Sequence, residues 1–184
     1  MSAALVEGDR VLVRRFTRDD LIDLVGYRTD PDVARYQDWD TDWGMADAER
    51  YLPSDDDPAL GTPGRWEQLA VIDTASGDLC GDIGVHFLAD QPATVEIGVT
   101  MAPRFQGQGL AADAVGSVVS LVFRAFAAHR VLAHVDARNA EARRLLDRLG
   151  FRQEAELKDA DWFKGEWTTL CIYAVLVDEW VFND

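Results

Sequence analysis

The chain has 184 residues, of which 33 are acidic and 18 are basic, giving a formal net charge of −15. Hydrophobic residues make up 48% of it, enough to build a sizeable core, so we expect one domain over residues 1–184. A strongly negative field repels DNA and RNA and attracts cationic small molecules or basic peptides, which excludes a nucleic-acid partner.

Neither a membrane segment nor a metal site is evident in the sequence. No apolar run approaches the length needed to cross a bilayer, and the N-terminus does not read as a signal peptide. Cys80 and Cys171 are far apart and lack metal-type spacing, so we predict buried, reduced thiols. These features predict a cytoplasmic protein with no membrane partner and no metal.

Hydrophobic periodicity predicts the elements of the first third of the chain. An opening strand at 10–16 precedes a helix that begins after Thr17, a candidate cap, and is broken at Pro31. The stretch 37–64 is acidic and rich in turns, with one short helix predicted at 45–52.

The rest of the chain alternates strands with two helices. The strands 66–73 and 78–88 form a hairpin with a turn near Ser76 and Gly77. The later elements are a strand at 93–101, a helix with an apolar face from Ala111 to Phe126, a strand at 130–136, a helix that ends at Gly150, and a final hairpin that turns at Lys164 and Gly165. One strand–helix–strand crossover makes 93–101 and 130–136 parallel neighbours or nearly so, and the class is therefore α/β or α+β.

The glycine-rich segment before the long helix allows two interpretations. Gly107, Gly109 and Ala112 fit the dinucleotide pattern G-x-G-x-x-A, with Asp136 placed where a ribose-binding acid belongs. Against this, residues 102–106 separate the strand from the glycines, and only one crossover is present.

The second interpretation starts from the residues ahead of the glycines. Arg104 to Gly109 fit R/Q-x-x-G-x-G/A, in which glycines let main-chain N–H groups approach a pyrophosphate. The helix that begins near Leu110 adds free N–H groups and its positive dipole end, and Arg104 and Gln106 supply side-chain donors. A plain tight turn would also explain the glycines.

Several further segments resemble one family in order and spacing: "VEIGVTM", "GQGLAADAV", "HRVLAHVDARN", "LGF" and "TLCIYAVLV". Together with the glycine loop, they resemble the GNAT family of N-acetyltransferases, in its RimJ/RimL-type subgroup. The resemblance implies a central mixed, mostly antiparallel twisted sheet with splayed central strands, flanked by helices. It also implies acetyl transfer from acetyl-CoA to a protein N-terminus or a related amine.

The resemblance assigns the coenzyme site residue by residue. The thioester is expected where the strand 93–101 splays from the strand 130–136. Asn139 matches a family asparagine on the pantetheine arm, although it is equally suited to cap the next helix. The residues implied to bind acetyl-CoA are Val99, Met101, Arg104, Gln106, Gly107, Gln108, Gly109, Leu110, Ala111, Asn139 and Arg143.

The general base is left open between several groups. Asp161 occupies the position of an acidic residue to which the subgroup assigns this role, and Glu96 is a second candidate. A carboxylate with a pKa of about 4 is a poor base for an ammonium of about 10 unless its site raises it or water relays the proton. His86 and His134 have a better intrinsic pKa but are equally compatible with the sheet surface.

The proton donor to the departing thiolate is where the sequence departs from its relatives. Leu146 replaces a tyrosine that is frequent in the wider family, and Ala142 replaces a serine that is frequent in the subgroup. Water or Tyr173 is left to supply the proton. The missing hydroxyls motivate an alternative function, an acyl-CoA-binding module with little or no turnover.

The acceptor is predicted to be a cationic amine. Five tryptophans (39, 43, 66, 162 and 167) and four aspartates (38, 40, 42 and 47) fall in segments expected to wall its site. Aromatic rings among carboxylates suit a cation, although for any one ring core packing is the better explanation. An N-terminal peptide, a polyamine and an aminoglycoside all fit. Similar proteins are often dimers, so a homodimer is compatible with the sequence.

Overall fold

The computed structural model describes residues 3–54, 57 and 59–182. Within these ranges the chain forms one eight-stranded sheet in the order β1-β2-β3-β4-β5-β6-β8-β7. The strands are β1 (Ala4–Glu7), β2 (Val11–Arg14), β3 (Trp66–Asp73), β4 (Leu79–Phe87), β5 (Thr94–Met101), β6 (Arg130–Asp136), β7 (Arg152–Phe163) and β8 (Glu166–Leu176). The helices are α1 (Leu21–Arg28), α2 (Pro31–Ala34), α3 (Met45–Ala48), α4 (Leu110–Phe126) and α5 (Ala140–Arg148).

The sheet is antiparallel at every junction except the one between β5 and β6. Those two strands run parallel and are joined by α4, as the predicted crossover requires. The predicted mixed, mostly antiparallel sheet with flanking helices is confirmed.

Strand alternation gives the sheet two different faces. Val95, Ile97 and Met101 of β5 belong to the core beneath α4, whose apolar stripe includes Val115 and Val118. A second core packs α1 against the other face of the sheet. The residues of β5 that alternate with the first core, Glu96 among them, therefore point to the α1 side.

Two strands differ from the expectation. The opening strand is a pair, β1 and β2, because a turn at Gly8 folds the N-terminal residues back along the sheet. The final hairpin is longer than predicted, since β7 already begins at Arg152. β7 is an edge strand whose residues are mostly exposed, so its charged sequence carries no buried alternation by which to recognise it.

Both cysteines are free and buried, which confirms the prediction of reduced thiols. Burial raises the pKa of the Cys80 thiol to about 12, so this group stays protonated and packs as an apolar side chain. Among the described residues, no helix is both long enough and apolar enough to cross a membrane.

Close packing of β4 against β5 requires a glycine at position 81. A Cβ atom there would lie 2.2 Å from the Thr100 carbonyl oxygen. We expect Gly81→Ala to lower the free energy of unfolding by about 1–3 kcal/mol, because the backbone of β5 must move to accommodate it. Urea denaturation measures the change.

Gly26 supplies the matched control, because it lies on the exposed side of α1 and a Cβ there meets no atom within 4 Å. Gly26→Ala should leave stability unchanged or raise it by up to about 1 kcal/mol through helix propensity. Equal effects of the two substitutions would contradict the close packing of β4 against β5 at Gly81.

Candidate active site

The segment between β5 and α4 has an open main chain. A short 3-10 turn at Pro103–Phe105 leads to Gly107 and Gly109, which have φ angles of 72° and 85°. These left-handed conformations favour glycine, and they let successive N–H groups converge on a concave surface. A Cβ at Gly107 would meet no atom within 4 Å, so the space beside this exposed residue is open.

The N-terminus of α4 opens onto the same loop. Gly109 is its N-cap, and the helix begins at Leu110, which is buried. The first amides of an α-helix have no intrahelical acceptor and carry the positive end of its dipole. This end of α4 is thus suited to an anion such as a diphosphate.

One carboxylate fixes the loop and helix to the edge of the sheet. Asp113, in the first turn of α4, accepts hydrogen bonds from the main-chain N–H groups of Asp9, Arg10 and Val11 at 3.1, 2.7 and 3.0 Å. The turn approaches so closely that a Cβ at Gly8 would lie 2.5 Å from Asp113 Oδ1. Arg10 also donates through Nη1 to the Gln108 carbonyl at 2.6 Å, so the β1–β2 turn supports the glycine loop directly.

The two glutamine side chains of the loop donate hydrogen bonds to nearby main-chain carbonyl oxygens. Gln106 Nε2 donates to the Met101 carbonyl at 3.0 Å, and Gln108 Nε2 donates to the Arg104 carbonyl at 2.7 Å. The Arg104 guanidinium lies 3.4 Å from a carboxylate oxygen of Asp78. The arrangement therefore offers an anion the main-chain amides first, and Arg104 would have to leave its acidic neighbour to join them.

Next to the loop, the central strands separate. β5 and β6 pair only at three positions, from Thr94 with Arg130 to Glu96 with Leu132. Beyond them β5 continues to Met101 along β4, while β6 continues to Asp136 along β8. The resulting wedge opens at the end of β5 from which the glycine loop departs. Val99, half-buried, lies on β5 beyond the last pair.

A carboxylate and two imidazoles meet at the apex of this wedge. Glu96 Oε1 lies 2.6 Å from His134 Nδ1, and Glu96 Oε2 lies 3.6 Å from His86 Nδ1. The His86 ring stacks on Trp66, with centroids 5.0 Å apart. The three titratable groups come from three adjacent strands, β5, β6 and β4, and they share the α1 side of the sheet.

The contact between Glu96 and His134 raises the pKa of the histidine and lowers that of the carboxyl group. The hydrogen bond to Glu96 raises the pKa of His134, and the charge of Asp161 raises it further. Burial alone would raise the pKa of Glu96, but the hydrogen bond and charge of His134 hold it below the ordinary value. Glu96 is thus held as a carboxylate, and His134 is the stronger base of the two.

Asp161 belongs to the same side of the sheet. It is paired across β7 and β8 with Thr168, and the charge of its side chain is felt at His134. The structure thus brings Glu96 and Asp161, the two carboxylates expected as bases, to one face together with two histidines that sequence reasoning left undecided.

The tryptophans expected to receive a cationic acceptor are partly engaged by the chain itself. The guanidinium of Arg28 lies 3.9 Å from the ring centroid of Trp39 and 4.9 Å from that of Trp43. Arg28 is only 2% exposed and is paired with the fully buried Asp82 at 2.7 Å. Because an internal cation fills this cage, Trp39 and Trp43 hold α1 and the following loop together, which is the packing alternative that the sequence left open for each ring.

The hairpin of β7 and β8 is attached to the same region by its turn. Lys164 Nζ donates to the carbonyl oxygens of Ala34 and Trp39 at 2.8 and 2.7 Å, and lies 3.2 Å from Asp40. Trp162 and Trp167 pair across this hairpin and are about three-fifths exposed. The hairpin thereby closes one end of the α1 side of the sheet.

Residues of α5 and β8 form a separate polar group on the opposite side. Asn139 Oδ1 accepts from the Ala142 N–H at 3.1 Å, so this side chain caps α5. The Tyr173 hydroxyl accepts from Arg143 Nε at 3.2 Å and donates to Gln153 Oε1 at 3.1 Å. Tyr173 is buried in the core beneath α4 and α5, on the face opposite to Glu96.

The two positions at which the resemblance led us to look for a hydroxyl hold apolar side chains that pack in the core. Leu146 is buried in the core beneath α4, and Ala142 packs against the same cluster. The described residues also contain no group of three or more His, Cys, Asp or Glu side chains that is suited to hold a metal ion.

Sequence reasoning missed the pairing of His134 with Glu96. The sequence does place Glu96 and His134 inside the two strands that the crossover joins, so their proximity could be suspected. Their contact depends on the register of β5 with β6, which a single sequence does not give.

Comparison with known proteins identifies the chain's relatives. Residues 10–152 match the family model described as an acetyltransferase (GNAT) domain. The chain is 23% identical over 172 residues, 94% of its length and 96% of the relative's, to "Uncharacterized N-acetyltransferase p20" of Bacillus licheniformis. It is 29% identical over 84 residues, 46% of its length and 43% of the relative's, to the ribosomal protein uS5 alanine N-acetyltransferase of Escherichia coli.

A solved structure gives the same fold. Spermidine N-acetyltransferase from Vibrio cholerae, in complex with CoA and spermine, superposes with a TM-score of 0.76 at 18% identity, covering 92% of this chain and 97% of that one. At this identity the likeness concerns the fold alone.

The Asp113 contact yields a prediction about stability. We expect Asp113→Asn to lower the free energy of unfolding by about 1–3 kcal/mol, because an amide cannot accept all three N–H groups without presenting its own donors to them. The control is Glu141→Gln, which changes the acidic residue in the first turn of α5, where the side chain is 86% exposed. That variant should stay within about 0.5 kcal/mol of the parent protein. Urea denaturation compares the two, and an equal response would refute the support given by Asp113.

Proposed function

The chain belongs to the GNAT family of acetyltransferases, an acetyl-CoA-dependent family, and we propose that it acetylates the primary amine of a cationic acceptor, either a protein N-terminus or a small polyamine. The observation that carries this proposal is the wedge between β5 and β6, which opens beside a glycine loop and the N-terminus of α4.

In the proposed site, the diphosphate of acetyl-CoA binds the amides of the glycine loop and the first turn of α4. Gly107 to Ala111 supply these amides, and Arg104, Gln106 and Gln108 line the loop. The pantetheine arm follows the wedge past Val99 and Met101, with Asn139 and Arg143 at the α5 side. The bound coenzyme supplies an activated acyl carbon.

The acceptor is proposed to approach from the α1 side of the sheet. Gly98 lies on this side, is exposed, and has no atom within 4 Å of a Cβ position, so the floor of the wedge is free of side chains there. Glu96, two residues from Gly98 on the same side of β5, and Asp161, whose charge acts on His134, place negative charge on this side of the sheet. An ammonium group would be attracted to these carboxylates before it loses its proton.

The relatives support a cationic acceptor without deciding between its types. One relative is named for the alanine of a ribosomal protein, and a structural neighbour is named for spermidine. The formal charge of −15 favours either kind of acceptor electrostatically. The cytoplasmic location and the oligomeric state remain predictions from the sequence.

Leu146 and Ala142 supply no hydroxyl group to the thiolate at the two positions where the resemblance led us to look for one. Tyr173 is already hydrogen-bonded to Arg143 and Gln153, so we propose that the sulfur takes its proton from water or from the acetylated nitrogen. Because the family is one of acetyltransferases, we favour turnover over a binding module.

The coenzyme site is tested at Gly107. We expect Gly107→Ala to weaken acetyl-CoA binding by about tenfold or more, equivalent to about 1.4 kcal/mol, because the methyl group occupies the space above the loop. The control is Gly150→Ala, at a glycine with a φ of 83° and no atom within 4 Å of a Cβ. Both variants carry a similar backbone strain, but only the first alters the loop. Calorimetric titration measures both affinities, and unchanged binding by Gly107→Ala would reject the assignment.

The reaction is tested with a panel of amines. We expect acetyl-CoA to release free thiol in the presence of at least one class among N-terminal peptides, polyamines and aminoglycosides, with basic acceptors preferred to acidic ones. Thiol release and mass spectrometry of the acceptor give the rates and products. Binding of acetyl-CoA without thiol release, for every class, would support the binding module instead.

A further inference from the structure

We propose that His134 is the catalytic base of this site and that Glu96 is a positioning residue that acts through it. This inference rests on the proposed function. The two carboxylates that were candidate bases then have other roles. Glu96 orients the imidazole, and Asp161 adds negative charge nearby.

The hydrogen bond between Glu96 and His134 selects the reactive nitrogen. Glu96 is held as a carboxylate, so it accepts from an N–H on His134 Nδ1, 2.6 Å away. A neutral imidazole carries one proton, and placing it on Nδ1 leaves the lone pair on Nε2. The side chain of His134 is 40% exposed, whereas that of Glu96 is 19% exposed, so the imidazole is the more accessible of the two.

The position of His134 in the fold matches this task. The last paired residue of β6 toward β5 is Leu132, opposite Glu96. His134 is the next residue of β6 on the same side, so it stands where the strands have just separated. An amine that approaches the wedge from the α1 side would therefore come close to this ring.

Glu96 is poorly suited to take the proton itself. Its two oxygens face His134 and His86, and its pKa lies below the ordinary value, which weakens it as a base. The groups that face His134 are Glu96 from β5 and Asp161 from β7, with His86 of β4 on the far side of Glu96. The two carboxylates stabilise the imidazolium that forms when a proton is taken up.

The proton balance of the reaction is complete with these groups. The ammonium R–NH₃⁺ gives one proton to His134 Nε2, directly or through one water, and the freed nitrogen lone pair forms the N–C bond. The C–S bond breaks with its electron pair on sulfur, and the second proton lost by nitrogen neutralises the thiolate. His134 then releases its proton to solvent. The sum is one ammonium and one thioester converted to one amide, one thiol and one proton.

The test compares His134→Gln, Glu96→Gln and the control His129→Gln in the amine panel. His129 is exposed, lies just before β6 and has no part in the site. We expect kcat to fall by about 10²–10⁴-fold in His134→Gln, with acetyl-CoA affinity unchanged, and His129→Gln to match the parent protein. The affinity measurement also shows that the variant is folded.

The pH profile separates a catalytic role from a structural one. In the parent protein, kcat/KM should rise with pH through a pKa above the ordinary histidine value of about 6.5, because the base must be neutral. In Glu96→Gln that pKa should fall toward or below the ordinary value. In His134→Gln the rise of kcat/KM through this pKa should disappear. Titration of the His134 ring by NMR should show the same downward shift in Glu96→Gln without reference to activity.

The outcomes distinguish the two levels of the proposal. If the parent protein is active and His134→Gln keeps its rate and pH profile, the role of His134 is overturned while the proposed function stands. If the rise of kcat/KM with pH is then lost in Asp161→Asn instead, Asp161 is the base. A parent protein that transfers acetyl to no amine would overturn the proposed function and the base together.

Discussion

Strands β5 and β6 pair at three positions and then part. Beyond the third pair each strand keeps its outer neighbour, β4 or β8, but the two strands no longer pair with each other across the gap. Buried main-chain groups need hydrogen-bond partners, so a gap of this kind persists only where water or a ligand can enter. The same separation places the glycine loop at the mouth of the gap and Glu96 at its apex. Both halves of the site therefore depend on where this one parallel pairing stops.

The two sides of the sheet offer different chemical groups, main-chain amides on one side and titratable side chains on the other. On the side of α4, the proposed anion site consists largely of main-chain amides, and Asp113 and Arg10 hold the loop and helix that carry them. On the side of α1, the site consists of titratable side chains from adjacent strands. Under the proposed function, main-chain groups bind the coenzyme on one side of the sheet, and titratable side chains carry the proton chemistry on the other.

The charged groups on the α1 side include a buried ion pair that stabilises the fold and partly exposed side chains at the wedge. Arg28 and Asp82 form a buried ion pair inside an aromatic cage, and the Tyr27 hydroxyl donates to the same carboxylate. Leaving either charge buried alone would be costly, so this group fixes α1 on the sheet and is closed to ligands. The carboxylates at the wedge are instead partly exposed, and the floor at Gly98 is open, so under the proposed function they are available to attract an acceptor.

The sequence by itself determined the element order, the single crossover, the glycine loop with its helix, and the buried thiols, because these follow from local periodicity and backbone preferences. It also placed Glu96 and Asp161 among the candidate bases. Only the tertiary structure decided what those residues meet. The contact of Glu96 with His134, the filling of the Trp39 cage by Arg28, and the support of the loop by Asp113 join residues 38, 11 and about 100 positions apart. Such contacts depend on strand register and helix packing, which arise from the whole chain and leave no local pattern in the sequence.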